Sequence, residues 1–388
     1  MKIAVVVGTR PEAIKMAPLI KELEERDGIS TSLISTGQHR SQLDQVFTCF
    51  NIVADVDLNL MQNVKNLNEL TANAISGVDA VIENIKPDFL LVQGDTTTAF
   101  AGALAAFNRQ IPVGHVEAGL RSGNILNPYP EEANRRMVSV FSTLNFAPTE
   151  VARRNLLNEG VSPNKIFVTG NTVVDALHSI SVKVKALPKH IAELVDPDKR
   201  IILVTAHRRE SLGRPLQNIC RAIKEVSKLY DDVEIIFPVH KNPAVREVAF
   251  SILSSLERVH LIEPLNYLDF ISTMKESSLI MSDSGGVQEE APSFGVPVLI
   301  MRKTTERTEA LNTDALTLVG TDCDSIIKHA QDLLDESSTG NVLVSGNPFG
   351  DGLASRRIVD TLILWNQGFV PLIQEYEEGH ICSGSLSS

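Results

Sequence analysis

The chain has 388 residues, of which 43% are hydrophobic and 22% charged, and a formal net charge of −12. This length suggests two or three domains, and the composition is typical of a soluble globular protein rather than a disordered one. The negative charge argues against non-specific binding to nucleic acid or to an anionic membrane, because both need a basic face. Any anionic ligand must therefore be met by local positive charge.

The cysteines and the N-terminus bear on the compartment. The apolar run before Gly8 has only five residues, which is too short for a signal peptide or a membrane span. The cysteines lie far apart without CxxC spacing, which suits a reducing compartment and gives no metal signature. They are Cys49, Cys220, Cys323 and Cys382. We expect a cytoplasmic protein without a metal site.

Short β-branched runs alternate with amphipathic helical stretches in two series. The first series is IAVVV, STSLIST, FLLVQGD and IPVGHVE, and the second is IILVTAH, VEIIFPVH, RVHLIE, SLIMSDSGG and PVLIMR. This alternation predicts βαβ units and two doubly wound parallel sheets, with a ligand in the cleft facing the strands' carboxyl ends. We expect a first domain over 1–171, a second over 172–354, a helix over about 355–376 that packs back on the first, and a polar tail over 377–388.

The first strand and helix carry two cations. In IAVVVGTRPEAIKMAP a strand ends at Gly8, and Arg10 and Lys15 fall at the start of the next helix. They could bind phosphate at the helix N-terminus, or they could be solvated side chains of an ordinary turn. The sequence has neither GxGxxG nor GxxxxGK[ST], so neither a dinucleotide cofactor nor a P-loop is indicated.

Asp95 ends the third run, in QGDTTTAF, just before the next predicted helix. An aspartate at this place is often the N-cap of the helix, which is a structural role. A carboxylate at the carboxyl end of a parallel strand also lies on the ligand side of the sheet, so a catalytic role is the alternative.

The segment 111–136 begins with the predicted strand IPVGHVE and gathers carboxylates and guanidiniums on sequence rich in Gly, Pro and Asn, which we expect to be a loop. Opposite charges close together suit acid/base chemistry on an anionic substrate, although a solvated surface turn would also contain them. The charged side chains are Glu117, Arg121, Glu131, Glu132, Arg135 and Arg136.

Two further groups of candidate residues lie at the ends of strands in the second series. His207, in VTAHRRES, ends a strand, and His240, in FPVHKNP, is placed similarly; either faces a ligand or is a structural histidine. In SLIMSDSGGVQEEAP a strand is followed by glycines and by a helix expected to begin near Val287. Such a turn lets phosphate approach the backbone, and a glutamate one helical turn later could bind ribose; an ordinary Gly-rich turn is the alternative. These residues are Ser284, Gly285, Gly286 and Glu290.

Eight motifs, in order and spacing, resemble the non-hydrolysing UDP-N-acetylglucosamine 2-epimerases over residues 1 to about 365. They are GTRPEAIKMAP, GQHR, QGDTTT, HVEAGLRS, NPYPEEANRR, TGNTVVDAL, TAHRRE and SDSGGVQEEAP. The resemblance implies a GT-B-like fold of two Rossmann-like domains with the active site in the cleft between them, and a homodimer. It implies reversible conversion of UDP-N-acetylglucosamine to UDP-N-acetylmannosamine by elimination and re-addition of UDP, without a redox cofactor. The product would supply surface polysaccharide synthesis.

The resemblance also carries roles to particular residues. Asp95, Glu117 and Glu131 become the carboxylates around the sugar, and His207 the group near the pyrophosphate; which carboxylate takes the first proton stays open. The implied substrate-binding residues are Arg10 and Lys15 for phosphate or sugar, Phe270 for uracil, Ser284, Gly285 and Gly286 for the phosphates, Glu290 for ribose, and Arg307.

Bacterial members of this family are activated by a second UDP-N-acetylglucosamine. The matching residues here are Gln38, Arg208 and His240. Two positions depart from the family pattern: Leu265 stands where several relatives have Gln near the uracil, and Ser41 where Glu or Gln often follows GQHR. These departures bear on nucleotide discrimination and on the activator site, respectively.

Three other functions fit parts of the pattern. A GT-B glycosyltransferase would share the nucleotide end of the site but would need an acceptor groove, and a hydrolysing 2-epimerase would release UDP and the free sugar. A catalytically silent sugar-nucleotide sensor would keep the nucleotide motifs and lose the acidic set, contrary to Asp95, Glu117 and Glu131.

Overall fold

The structure is a computed structural model that describes residues 1–37, 40–181, 183–184, 186–305, 307, 311, 315–338 and 347–377. It divides into two compact units. Unit 1 comprises Met1–Ser179 together with the C-terminal segment from Phe349, and unit 2 comprises Ile180–Pro348. Among the described residues no helix is both long enough and apolar enough to cross a membrane.

Each unit is built on its own parallel sheet, so the predicted pair of α/β units is confirmed. Unit 1 has seven strands in the order β3-β2-β1-β4-β5-β6-β7. They are β1 (Lys2–Val7), β2 (Ser30–Ser35), β3 (Val56–Asp57), β4 (Phe89–Gln93), β5 (Val113–Val116), β6 (Leu144–Ala147) and β7 (Ile166–Val168). Unit 2 has six strands in the order β10-β9-β8-β11-β12-β13. They are β8 (Arg200–Thr205), β9 (Val233–Pro238), β10 (Val259–Ile262), β11 (Ser277–Ser282), β12 (Val298–Ile300) and β13 (Leu316–Leu318).

The helices follow the strands in the expected alternation. They are α1 (Arg10–Glu24), α2 (Arg40–Phe50), α3 (Leu67–Ile85), α4 (Thr97–Asn108), α5 (Glu131–Phe141), α6 (Glu150–Asn158), α7 (Thr172–Ser181), α8 (Lys189–Ala192), α9 (Arg214–Leu229), α10 (Pro243–Leu253), α11 (Tyr267–Lys275), α12 (Gly285–Glu290), α13 (Cys323–Ser338) and α14 (Ala354–Asn366). The central strands β1 and β4 are almost continuously buried, because helices cover the sheet on both faces. This arrangement leaves the turns at the strands' carboxyl ends to carry polar groups.

The C-terminal helix α14 belongs to unit 1, where it packs against α1. Its start is held by buried Asp175 of α7, whose carboxylate accepts hydrogen bonds from the backbone N–H groups of Ala354 (3.2 Å) and Ser355 (2.7 Å). These bonds join α7 to α14, and most of α7 belongs to unit 1. The divisions fall after residues 179 and 348, whereas the sequence placed them after 171 and 354.

Replacing Asp175 by Ala should lower the free energy of unfolding by about 1–3 kcal/mol, because two buried N–H groups at the start of α14 lose their acceptor. Chemical denaturation measures this change. Asp27→Ala, at an exposed position of the same unit, should change it by less than about 0.5 kcal/mol. Equal stability of the two variants would contradict the anchoring role of Asp175.

Candidate active site

Glu117 lies directly after β5 with a backbone φ of +65°, a left-handed conformation that is strained for a residue with a side chain. Its side chain is only 8% exposed. The carboxylate accepts hydrogen bonds from Lys15 Nζ of α1, from Gln93 Nε2 at the end of β4, and from Asn171 Nδ2 (2.9 Å) just before α7. Three separate segments therefore fix this carboxylate, one of them through the ion pair with the Lys15 ammonium.

Asp95 follows β4 and faces α5. Its carboxylate pairs with the Arg135 guanidinium, with 3.1 Å between Nε and Oδ2, and its backbone carbonyl accepts a hydrogen bond from Asn134 Nδ2 (2.9 Å). The N-cap of α4 is Thr96, whose hydroxyl accepts a hydrogen bond from Ala99 N (3.0 Å). Asp95 is therefore not the cap, and its half-buried carboxylate is held by a cation instead.

The prediction of a loop through residue 136 was wrong at its end, because α5 already begins at Glu131. Glu131 is half-buried at the first position of this helix. Glu132 is fully buried and accepts hydrogen bonds from Ser122 N (3.0 Å), Arg135 Nη1 (3.2 Å) and Arg136 Nε (3.0 Å). The bond from Ser122 N ties the segment after β5 to α5, while the two arginines of α5 pair with the same carboxylate.

The two cations that follow β1, Arg10 and Lys15, lie in different surroundings. Lys15 is buried against Glu117, while Arg10 is half-buried at the first position of α1. Reasoning from charge missed Gln93 and Asn171, because both are neutral. Both lie within the motifs QGDTTT and TGNTVVDAL, so only the family motifs contained a signal for them.

Glu12, which the sequence reasoning did not single out, is buried beside the same turn. It accepts hydrogen bonds from Gly8 N (3.0 Å), Thr9 N (2.6 Å), Thr9 Oγ1 (2.7 Å) and Thr96 Oγ1 (2.6 Å). Burial raises the pKa of Glu12 to about 7, and these hydrogen bonds act in the opposite direction. A carboxylate that titrates near neutrality thus joins the turn after β1 to the turn after β4.

In unit 2, His207 lies just after β8 and is positioned by a buried carboxylate. Asp283 accepts hydrogen bonds from the backbone N–H groups of His207 and Arg208 (both 2.9 Å) and from Ser211 Oγ (2.8 Å). The Nδ1 atom of His207 lies 3.6 Å from Asp283 Oδ1, and its ring stacks on that of His240 at 5.4 Å. The imidazole is 36% exposed, so it can meet a ligand from a fixed backbone.

The Ser-Gly-Gly turn after β11 leads into α12, which begins at Gly285 rather than near Val287. A Cβ on Gly285 would lie 2.8 Å from Nη1 of Arg307, so a side chain there would displace the guanidinium. At Gly286 a Cβ would make only ordinary contacts, the nearest at 3.9 Å. Close approach of a ligand to the backbone would explain this second glycine.

The other predicted nucleotide contacts lie around the same turn. Arg307 donates a hydrogen bond from Nε to Oε1 of buried Glu289 (2.8 Å), and Glu290 accepts one from the hydroxyl of Tyr267 (3.2 Å). Phe270 is half-buried on α11. The residues of unit 2 that are predicted to bind the phosphates and the ribose thus lie at one end of its sheet.

Two of the three predicted activator residues lie in the described part of the chain. Arg208 and His240 lie near His207, and His240 Nδ1 accepts a hydrogen bond from Asn242 N (3.1 Å). Gln38 lies outside the described residues. Within the described part of the chain no three His, Cys, Asp or Glu side chains are grouped so that they could hold a metal ion.

Comparisons with known proteins identify the family. The model of the family described as UDP-N-acetylglucosamine 2-epimerase matches residues 21–363. The UDP-N-acetylglucosamine 2-epimerase of Bacillus subtilis is 50% identical over 364 residues, which are 94% of this chain and 95% of the relative. The crystal structure of UDP-GlcNAc 2-epimerase from Neisseria meningitidis bound to UDP-GlcNAc is 47% identical with a TM-score of 0.88, covering 94% of this chain and 100% of that chain.

A more distant structure bears on the fold alone. The glycosyltransferase of kitacinnamycin is 12% identical, with a TM-score of 0.58 over 88% of this chain and 92% of its own. This likeness and the two parallel-sheet units confirm the GT-B-like fold class. The family model covers most of the chain and the relatives are about half identical to it, so the resemblance seen in the motifs is confirmed. The chain belongs to the UDP-N-acetylglucosamine 2-epimerase family.

Proposed function

We propose that the chain interconverts UDP-N-acetylglucosamine and UDP-N-acetylmannosamine by anti elimination and re-addition of UDP. The observation that carries this proposal is the set of carboxylates Asp95, Glu117 and Glu131 in the segments that follow β4 and β5, with Glu117 fixed in a strained backbone. The names of the relatives agree with the activity. A cytoplasmic location and supply of surface polysaccharide synthesis stay predictions.

The chemistry explains why several carboxylates are needed. The C2 hydrogen of the sugar is not acidic, so it leaves most easily when the C1–oxygen bond breaks and UDP departs with the bonding electrons. The product of this step is 2-acetamidoglucal. In the second step UDP adds back to C1 while C2 receives a proton on its opposite face. A base and an acid on opposite sides of one carbon satisfy both steps without any change of oxidation state.

Two of the carboxylates are held by different cations. Glu117 accepts a hydrogen bond from Lys15, and Asp95 is paired with Arg135. Each pair fixes its carboxylate in place for proton transfer, and Glu131 lies at the start of α5. We assign the proton transfers at C2 to these three groups.

Unit 2 is proposed to bind UDP. The phosphates would meet the backbone of Ser284, Gly285 and Gly286, and Glu290 would accept hydrogen bonds from the ribose hydroxyls. His207, held by Asp283, would stabilise the charge that develops on the departing pyrophosphate.

One experiment separates this function from its alternatives. The chain is incubated with UDP-N-acetylglucosamine in deuterated water, without an acceptor, and the C2 position is followed by NMR. We expect deuterium at C2 in the recovered pool together with the manno epimer. Free UDP and N-acetylmannosamine would indicate a hydrolysing epimerase. Binding of the UDP-sugar with neither deuterium nor epimer would leave a transferase or a sensor and would refute the proposal.

Replacing Glu117 by Gln should lower kcat by at least about 10²-fold, because a general acid or base contributes roughly that factor, and it should leave the Kd for UDP within about threefold. Kinetics and calorimetry measure the two quantities. Glu150→Gln, at an exposed glutamate on α6 of the same unit, should match the wild type in both. Full turnover in Glu117→Gln would remove this residue from the catalytic set.

We also propose that the chain forms a homodimer through α4 and α5. These helices pack together, and apolar side chains on them are exposed: Phe107, Met137 and Val140, the last of which is 78% exposed. Exposed apolar groups on neighbouring helices suit a self-complementary two-fold interface.

Val140→Asp should shift the chain from dimer to monomer, because it buries a charge in the proposed interface. Light scattering at micromolar concentration measures the mass. Val53→Asp, at another exposed valine (84%) of unit 1, should leave the dimer intact. Identical masses for the two variants would argue against this interface.

A second UDP-N-acetylglucosamine is proposed as an activator that contacts Arg208 and His240. Its support is the stacking of His240 on His207. A ligand at His240 would thereby act on the ring orientation of a group proposed to serve the pyrophosphate. Activation would appear as a sigmoidal dependence of rate on UDP-N-acetylglucosamine, which His240→Ala should make hyperbolic.

A further inference from the structure

We propose that Glu12 is a positioning residue of this reaction: its carboxylate fixes the turn before α1, the helix that carries Arg10 and Lys15, relative to the turn that carries Asp95. The inference rests on the proposed function of the site. Glu12 itself lies beneath the two turns, 1% exposed, and acts on the reaction through its neighbours.

The two carboxylate oxygens of Glu12 serve different segments. Oε2 accepts hydrogen bonds from the backbone of Gly8 and from the backbone and hydroxyl of Thr9, at 2.6 to 3.0 Å. Oε1 accepts a hydrogen bond from the hydroxyl of Thr96 at 2.6 Å, a residue 84 positions away in the sequence. One side chain therefore joins the end of β1 to the end of β4.

The bond to Thr96 continues towards the catalytic groups. Thr96 accepts a hydrogen bond from Ala99 N (3.0 Å) and so caps α4, while its hydroxyl proton is directed to Glu12. Asp95 is its immediate neighbour in sequence. Two residues after Thr96, the hydroxyl of Thr98 forms a buried hydrogen bond with the hydroxyl of Thr36 in the turn after β2 (2.9 Å). A shift of the Glu12 carboxylate would thus move the backbone that aims Asp95.

An ordinary helix cap does not explain this arrangement. Glu12 is the third residue of α1, and a glutamate at that position commonly bonds back to the N-cap, as it does to Thr9 here. Glu69 has the same position in α3, yet it is only half-buried and bonds only locally, to Lys65 N (2.9 Å) and Asn66 Nδ2 (3.2 Å). The burial of Glu12 and its distant partner are therefore additional to capping.

Ionisation of Glu12 governs the strength of the link. The groups that face it from the turn before α1 and from the N-cap of α4 are the neutral donors of Gly8, Thr9 and Thr96, while Lys15 of α1 is paired with Glu117. Burial raises the pKa of Glu12 to about 7. An ionised carboxylate attracts all four donors, whereas the protonated acid must itself donate one hydrogen bond, which competes with that from Thr96. The link is therefore strongest above pH 7.

Glu12→Gln tests this directly, because the amide has the shape of the protonated acid and cannot ionise. At pH 8.5 we expect kcat to fall about tenfold, as small misplacements of reacting groups have effects of this size or larger, with KM within about twofold. Towards pH 6 the ratio of variant to wild-type kcat should rise to near one. Glu69→Gln should equal the wild type at each pH. A ratio that does not change with pH, or the same loss in Glu69→Gln, would overturn the proposal.

Thr96 supplies a second test that does not depend on the titration. Thr96→Ser keeps the hydroxyl, and its kcat should stay within about twofold of the wild-type value. Thr96→Val lacks the hydroxyl, and its kcat should fall. The double variant Glu12→Gln/Thr96→Val should be no slower than the slower single variant, because both changes remove one shared bond. Losses that multiply would show that the two residues act independently.

Amide hydrogen exchange separates failure of this proposal from failure of the proposed function. In the ligand-free chain, Glu12→Gln should speed exchange at Gly8, Thr9 and Ala99 at least fivefold above pH 8, without affecting β8 of unit 2. If exchange rises but no epimerisation occurs in any form of the chain, the link stands and the proposed function fails. If exchange is unchanged, the link itself is refuted.

Discussion

Carboxylates buried at the carboxyl end of the unit 1 sheet must be met by hydrogen-bond donors, because an unpartnered charge in a poorly hydrated place costs several kcal/mol, of the order seen when one member of a buried ion pair is removed. This constraint organises the turns of unit 1. Glu117 takes donors from α1, β4 and the residue before α7, Glu132 takes them from α5 and its preceding segment, and Glu12 from two turns. The hydrogen bonds that meet these buried carboxylates thus also fix the turns.

Unit 2 uses one buried carboxylate for a similar purpose. Asp283 lies between the end of β11 and the Ser-Gly-Gly turn, and it also fixes the backbone of His207 and Arg208 after β8. A single side chain therefore ties the proposed phosphate turn to the proposed pyrophosphate group. The position of the imidazole is therefore set by a residue at the end of the sheet and not by a free loop.

Much of the fold could be predicted from the sequence, because buried parallel strands are long β-branched runs. β3, β6, β7 and β13 were not predicted, since they have only two to four residues and three of them lie at sheet edges. The start of α5 was taken for loop because prolines and asparagines precede it. Tertiary packing, and not local propensity, decides such short elements.

The candidate site could be predicted only in part. Charge and strand ends indicated Asp95, Glu117 and His207, but not the neutral partners Gln93 and Asn171. The partner of Lys15 is 102 residues away, so no local pattern could show that this lysine serves a carboxylate. The distant bond of Glu12 to Thr96 was hidden for the same reason, beneath a pattern that reads as an ordinary helix start.

The central claim is that carboxylates placed in this way remove the C2 proton as UDP departs. Rapid quenching of a reaction with enzyme and UDP-N-acetylglucosamine at similar concentrations, followed by mass spectrometry, tests it most directly. The account predicts UDP and 2-acetamidoglucal in equal amounts, formed no more slowly than the manno epimer. Formation of the epimer without either species at any time would contradict it.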